Sequence, residues 1–190
     1  MKKMVSFVTI LLLALLSACS SANDHTDAPK QSGEITKKQE SIEVELDKAF
    51  NVKTSVIVEK TTKLKMVVTN FEIVQDLSQK AEDNAKYDYV KFDISFENIG
   101  DKESHSQAVS NYSFKFYDEN GVEIEADNYL AETELEMDGT LKKAAVRPGG
   151  KNQGKLIFPI PKGSKPGEMV YSSQWGAIYG TNEYIFSIKH

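Results

Sequence analysis

The chain has one cysteine. No disulfide can form within it, which excludes a small cystine-stapled scaffold and leaves stability to a buried core. Histidine is scarce too: His25 lies in a polar N-terminal stretch, His105 in Ser104-His105-Ser106-Gln107, and His190 is the last residue. None sits beside a nucleophile motif and no two stand at ligand spacing, so neither a catalytic histidine nor a histidine metal site is expected. Arginine is all but absent, Arg147 standing against 22 lysines, and the formal charge is −5. A net acidic surface lacks the cationic footprint that nucleic acid or anionic lipid requires, so both are read as poor partners. Long apolar runs are missing as well. The mainly apolar stretch Met4 to Leu16 is thirteen residues, short of the roughly 20 that span a bilayer as a helix.

What is present at the N-terminus explains that short run. Lys2 and Lys3 precede it, and Leu16-Ser17-Ala18-Cys19 closes it, the layout of a secretory signal ending in small residues. The tetrapeptide resembles a bacterial lipobox. It implies removal of residues 1–18 and a diacylglyceryl group on Cys19, a lipid anchor holding the protein on the extracytoplasmic face of the cell membrane; two acyl chains give stable attachment at about 0.8 kcal/mol per buried CH₂. Loss of residues 1–18 removes two lysines and no acid, moving the formal charge from −5 to −7. With the only thiol acylated, the mature chain makes no disulfide.

Ser20 to about Ser41 is polar, with Ile35 its only large apolar residue, and reads as a disordered tether. Some 22 residues of flexible chain have an r.m.s. reach of about 25 Å and a taut limit of about 75 Å. The division is therefore signal peptide 1–18, lipidated Cys19 with a mostly disordered tether to residue 50, and a folded domain 51–190. Ile42 to Phe50 fits both strand and helix periodicity and stays open.

Beyond it, β-branched and aromatic residues alternate with polar ones between turn signals. Strands are expected at Val52–Lys60, Leu64–Gln75, Tyr87–Asn98, Asn111–Asp118, Val122–Ala126, Leu141–Arg147, Lys155–Ile160, Met169–Ser173 and Tyr184–Lys189, with 128–138 either an irregular crossing or a short helix. In Tyr87–Asn98, Val90, Phe92, Ile94 and Phe96 share one face, as a half-buried strand requires. Asp118-Glu119-Asn120-Gly121 and Arg147-Pro148-Gly149-Gly150 read as turns, the second as type II. Gly154 inside a strand signals a bulge or close backbone approach, and Pro159 and Pro161 suit an edge strand. The expected fold is all-β: an antiparallel sandwich of about seven to nine strands, with a barrel the alternative.

Phe96-Glu97-Asn98-Ile99-Gly100, the aromatic strand into Asp118-Glu119-Asn120-Gly121, and Pro148-Gly149-Gly150 followed by Gly154-Lys155-Leu156-Ile157-Phe158-Pro159-Ile160-Pro161 together resemble a family of bacterial lipoproteins of unknown function, related to a small immunogenic protein secreted by mycobacteria. The likeness covers roughly Tyr87 to Tyr171. It implies an immunoglobulin-like fold and brings no catalytic residues or cofactors. Ser172 to His190 lies outside it.

Two charge blocks stand out. Residues 118–138 carry nine acids and no base, and 141–167 carry seven bases and no acid. Adjoining strands would let the blocks pair across the sheet. On a strand, Glu132, Glu134 and Glu136 would share a face, and the acidic segment would then suit a cation or small-molecule ligand. Tyr171, Trp175, Tyr179, Tyr184 and Phe186 crowd the C-terminus. Tyr184 and Phe186 read as core, and Trp175 and Tyr179 as contacts to a partner. The sequence thus predicts a surface-exposed, membrane-anchored binding module, not an enzyme and without a cofactor, whose partner is another surface protein or wall polymer. The alternative is an accessory protein that binds a cation or small molecule through residues 118–138.

Overall fold

The computed structural model describes residues 40–55, 61–135, 138–172 and 182–189. Nine strands form in the described residues: β1 Ser41–Val44, β2 Phe50–Ser55, β3 Thr61–Val74, β4 Tyr87–Asn98, β5 Phe114–Tyr117, β6 Glu123–Ile124, β7 Lys151–Pro161, β8 Glu168–Ser172 and β9 Glu183–Ser187. Two short helices, α1 Ala81–Lys86 and α2 Asn128–Thr133, join them. One sheet runs β1-β9-β8-β5-β6 and the other β2-β3-β4-β7. Their apolar faces pack together as an immunoglobulin-like β-sandwich.

Alternation places the core. Val90, Phe92, Ile94 and Phe96 of β4 are at most 5% exposed, and they meet Leu64, Met66 and Val68 of β3 and Phe158 and Ile160 of β7 on the same face. Phe116, Met169, Tyr171 and Phe186 close the core from the other sheet. Phe92 and Phe158 link the layers: ring centroids lie 5.1 Å from Phe92 to Phe114 and 5.0 Å from Phe158 to Phe116. Such pairs contribute about 0.5–1.5 kcal/mol each beyond burial. A smaller cluster of Tyr89, Leu135 and Ile157 covers the outward face of β4 and β7 beside α1 and α2.

Long β3 shifts its register on β4 at a bulge between Thr69 and Glu72. Asn70 takes φ 53° there and its amide donates to Asp93 Oδ2 at 2.6 Å, a backbone state that asparagine tolerates better than most residues. Edge strand β7 is closed to further pairing. Pro159 and Pro161 lack an N–H; the Ile157 carbonyl accepts from Asn111 Nδ2 (2.8 Å), the Pro159 carbonyl from the Asp127 N–H (2.8 Å), and the Lys155 carbonyl from the Leu141 N–H (2.9 Å). This protects an edge that would otherwise template aggregation.

Three expectations change. Leu141–Arg147 is not a strand: the isolated bridge of Thr140 with Lys155 ends just before it. Its backbone is satisfied otherwise, by Asn152 Nδ2 donating to the Lys142 carbonyl and by Ser104, whose N–H donates to the Val146 carbonyl and whose hydroxyl accepts from the Val146 N–H. The sandwich is not wholly antiparallel, because β1 lies parallel to β9; β1 reaches that sheet from the N-terminal side, so no hairpin constrains its direction. The open segment 42–50 is strand β1, a turn at Asp47 (φ 63°) and the first residue of β2, so a boundary drawn at 51 falls inside β2.

Candidate functional site

Cys19, Trp175 and Tyr179, the lipidation and partner residues expected from sequence, lie outside the described residues. The acidic segment lies mostly within them and is dispersed. Asp127 caps α2, its carboxylate accepting from the Leu130 N–H at 2.9 Å and from the Tyr87 hydroxyl at 3.0 Å. That cap turns the following residues into a helix, so Glu132 and Glu134 never share a strand face. The hydrogen bond to Asp127 raises the Tyr87 hydroxyl above its ordinary pKa. Among the described residues no group of three histidine, cysteine or carboxylate side chains is placed to hold a metal ion. Among the described residues the two charge blocks meet in one ion pair, Lys143 with Glu132 at 2.6 Å. Other bases of the second block turn elsewhere: Lys151 to Glu97, Lys162 to Asp88 and Arg147 to Glu103. Broad pairing between the blocks fails because Leu141–Arg147 is not a strand beside the acids.

Strand register fixes the two ends of the domain. The Glu183 N–H donates to the Glu40 carbonyl at 2.9 Å, and Glu183 pairs with both Ser41 and Ser172. At the other end of the same sheet, Glu168 pairs with Tyr117 and with Ser187. A groove of about 420 Å³ opens at this second end, opposite the point where the chain arrives from Cys19, lined by Asp118, Glu119, Asn120, Ile124, Gly163, Ser164, Lys165 and Gly167.

Both walls of the groove are held. Asp118 accepts from the Val122 N–H at 2.8 Å and the Asn120 N–H at 2.9 Å, bonds that keep its carboxyl below the usual carboxylate range. Gly121 takes φ 76° to complete the turn. Opposite, the buried Asp88 accepts from the Gly163 N–H at 2.8 Å while Lys162 Nζ donates to the Asn84 carbonyl at 2.7 Å. A side chain at Gly167 would press on the Glu119 backbone at 3.2 Å, so glycine lets the walls approach. The sequence marks the Asp118–Gly121 turn but gives no sign that the Gly163–Gly167 loop faces it.

At the tether end, the recognised motifs meet at one residue. Asn98 is fully buried; its amide donates to the Lys102 and Val146 carbonyls, both at 2.7 Å, and its side-chain oxygen accepts from the Thr62 hydroxyl and the Gly100 N–H, both at 2.9 Å. Its backbone binds the Pro148-Gly149-Gly150 turn, the Gly149 N–H donating to the Asn98 carbonyl and the Asn98 N–H to the Gly150 carbonyl. That turn is type II as expected, with Gly149 at φ 76° and the Gly150 N–H bonded to the Arg147 carbonyl. Gly100 has no room for a Cβ, which would fall 2.4 Å from Thr62 Oγ1. His105, meanwhile, accepts at Nδ1 from the Gln107 N–H in a loop turn.

Residues 50–180 match a domain of unknown function, DUF4352. The chain belongs to the DUF4352 family. Among solved structures, this DUF4352 protein is similar to MPT63, a secreted protein from Mycobacterium tuberculosis, with a TM-score of 0.54 at 12% identity over 78% of this chain and 98% of that one. It is also similar to an uncharacterized β-sandwich protein from Clostridium difficile 630 (TM-score 0.48, 13% identity, 80% and 97% covered) and to the yjhA protein from Bacillus subtilis (TM-score 0.48, 14% identity, 76% and 98% covered). At 12% identity the likeness to MPT63 carries the fold alone. No curated protein matches the sequence.

Proposed function

We propose that this DUF4352 protein is a lipid-anchored module on the extracytoplasmic face of the cell membrane, and that it works by contact with another surface protein or a wall polymer. The lipobox ending at Cys19 supports the address, and the likeness of its fold to a secreted protein agrees with it. The observation that carries the contact role is the groove between the Asp118 turn and the Gly163–Gly167 loop: it opens at the end away from Glu40, where a tethered domain presents itself to partners, and its walls are pinned before any ligand arrives. Preformed, mixed-sign and lined by backbone, it suits an extended polar segment of a partner. Trp175 and Tyr179 are a second contact, in the stretch between Ser172 and Asn182. The role is non-catalytic in this reading, because the acids and amides of the described residues serve as caps, turn anchors and ion pairs.

A photo-crosslinking residue introduced at Glu119, and separately at Trp175, in intact cells tests this. A discrete crosslinked species from either position is expected; no crosslink from both would overturn the contact role. Cys19→Ser tests the address, with transfer from the membrane fraction to the medium expected and unchanged membrane retention contradicting it.

A further inference from the structure

Glu119 and Lys165 line the same groove, one on each wall, and do not meet. Both are exposed, and neither has an ion-pair partner among the described residues. The charges next to them are answered elsewhere: Lys115 pairs with Glu123 at 3.0 Å, and Lys162 Nζ stands 3.7 Å from Asp88. Glu168 follows Gly167 but does not line the groove. Asp118 adds a second acid beside Glu119. Its Oδ1 takes the Asn120 and Val122 N–H groups, so Oδ2, with only the Asn120 amide at 3.5 Å, keeps room to accept a further bond.

The two walls are tied together at their base. The Gly167 N–H donates to the Tyr117 carbonyl at 2.8 Å, and the Gly167 carbonyl accepts from the Ile188 N–H at 2.9 Å. Unlike charges are thus presented on two fixed surfaces, with the Asn120 amide and the Ser164 hydroxyl as neutral hydrogen-bonding groups between them. Such an arrangement selects against a ligand of one sign. A polyanion meets two carboxylates, and a purely cationic chain meets Lys165. An extended peptide avoids both conflicts, because consecutive side chains point to opposite sides of the backbone.

We propose that the groove takes an extended segment of a partner protein at a point where a basic residue and an acidic one are neighbours in sequence. The basic side chain turns to the Asp118–Glu119 wall and the acidic one to Lys165. This deepens the contact reading above and rests on it, narrowing the partner from a surface protein or wall polymer to a protein. Fixed walls of opposite sign give the groove a preference for sequence, where net charge alone would give only a preference for cations.

The test titrates the full-length, isotope-labelled protein with three blocked hexapeptides of threonine whose central pair is lysine-glutamate, lysine-lysine or glutamate-glutamate, and follows backbone amide shifts by NMR. The mixed peptide should bind about fivefold more tightly than either uniform one, the factor that one exposed ion pair near the top of its range is worth. It should move the amides of Asn120, Gly121, Gly163 and Gly167. In about 1 M salt, where the Debye length is about 3 Å, the three should bind alike. Glu119→Lys should shift the preference to the glutamate pair and Lys165→Glu to the lysine pair; both positions are exposed, so the fold should tolerate them. Gly167→Ala, whose Cβ would press on the Glu119 backbone at 3.2 Å, should weaken the mixed peptide with no change of charge. A uniform peptide binding wild type as tightly as the mixed one, or shifts confined to residues away from the groove, overturns the proposal. Tighter binding of soluble polyphosphate makes the occupant an anionic polymer and also overturns it. No peptide binding, with Glu119 crosslinking to a protein in cells, overturns this ligand class and leaves the contact reading standing. The predicted preference without a crosslink from Glu119 or Trp175 supports the ligand class and overturns the contact reading.

Discussion

Removing the Asn98 side chain at Asn98→Ala should be among the most damaging single substitutions in the domain. Its amide and oxygen make four hydrogen bonds, to the Lys102 and Val146 carbonyls, the Thr62 hydroxyl and the Gly100 N–H. At about 1 kcal/mol net per bond the direct loss is about 4 kcal/mol. The Val146 and Thr62 bonds are buried and their orphaned partners gain no water, whereas the Lys102 and Gly100 groups are only part-buried and recover some hydration. An overall loss of about 3–5 kcal/mol is expected, a large share of the 5–15 kcal/mol typical of a domain. Asn98→Asp keeps the shape but replaces two donors with an oxygen facing two carbonyls, so at pH 7 it should rescue nothing. Urea unfolding followed by far-ultraviolet circular dichroism measures both. An Asn98→Ala midpoint shift worth less than about 0.5 kcal/mol, or an Asn98→Asp protein as stable as wild type, would refute the reasoning.

Gly154→Ala should destabilise by about 1–3 kcal/mol, the usual range for overpacking, because the new Cβ would lie 2.4 Å from Leu141 Cα; an unchanged thermal midpoint would contradict the close approach. Tyr171→Phe removes the buried hydroxyl that donates to the Ala108 carbonyl at 3.0 Å, and a loss of about 1–3 kcal/mol is expected by urea titration. Burial also raises the Tyr171 hydroxyl well above its ordinary pKa. Its contribution to stability is thus fully present below the unfolded value of about 10 and is lost as pH rises beyond it, so Tyr171→Phe should unfold less steeply in alkali than wild type. Asp118 works in the opposite sense: hydrogen bonds from Val122 and Asn120 lower its pKa, so its contribution is present above the unfolded value and is lost as pH falls through the lower, folded one. Carboxyl chemical shifts should give a midpoint below the usual range, and a midpoint at or above about 3.9 would contradict it.

Much of this fold could be read from side-chain alternation because its long strands are half-buried. Phe92, Ile94 and Phe96 alternate with Asp93, Ser95 and Glu97, and only one face of β4 meets the other sheet. The type II turn at Pro148-Gly149 and the tight contact at Gly154 were legible for a local reason: proline and glycine report backbone geometry directly. Strand β1 was not, because four residues fit either periodicity and its partner, β9, is far away in sequence. Leu141–Arg147 misled because its apolar pattern is strand-like while Ser104 and Asn152 satisfy its backbone, an arrangement no local pattern encodes. The groove needed two distant loops brought face to face. Charge blocks along the chain foretold the Lys143–Glu132 pair but not the partners of Lys151, Lys162 and Arg147, since a helix cap at Asp127 removed Glu132 and Glu134 from any sheet.

If acylation at Cys19 holds this sandwich on the extracytoplasmic side of the membrane, the intact mass of the native protein extracted from cell membranes will show it. A species beginning at Cys19 and heavier than the polypeptide by a diacylglyceryl group, lost in Cys19→Ser, is the predicted result. A mass matching the bare polypeptide with Cys19 unmodified would contradict it.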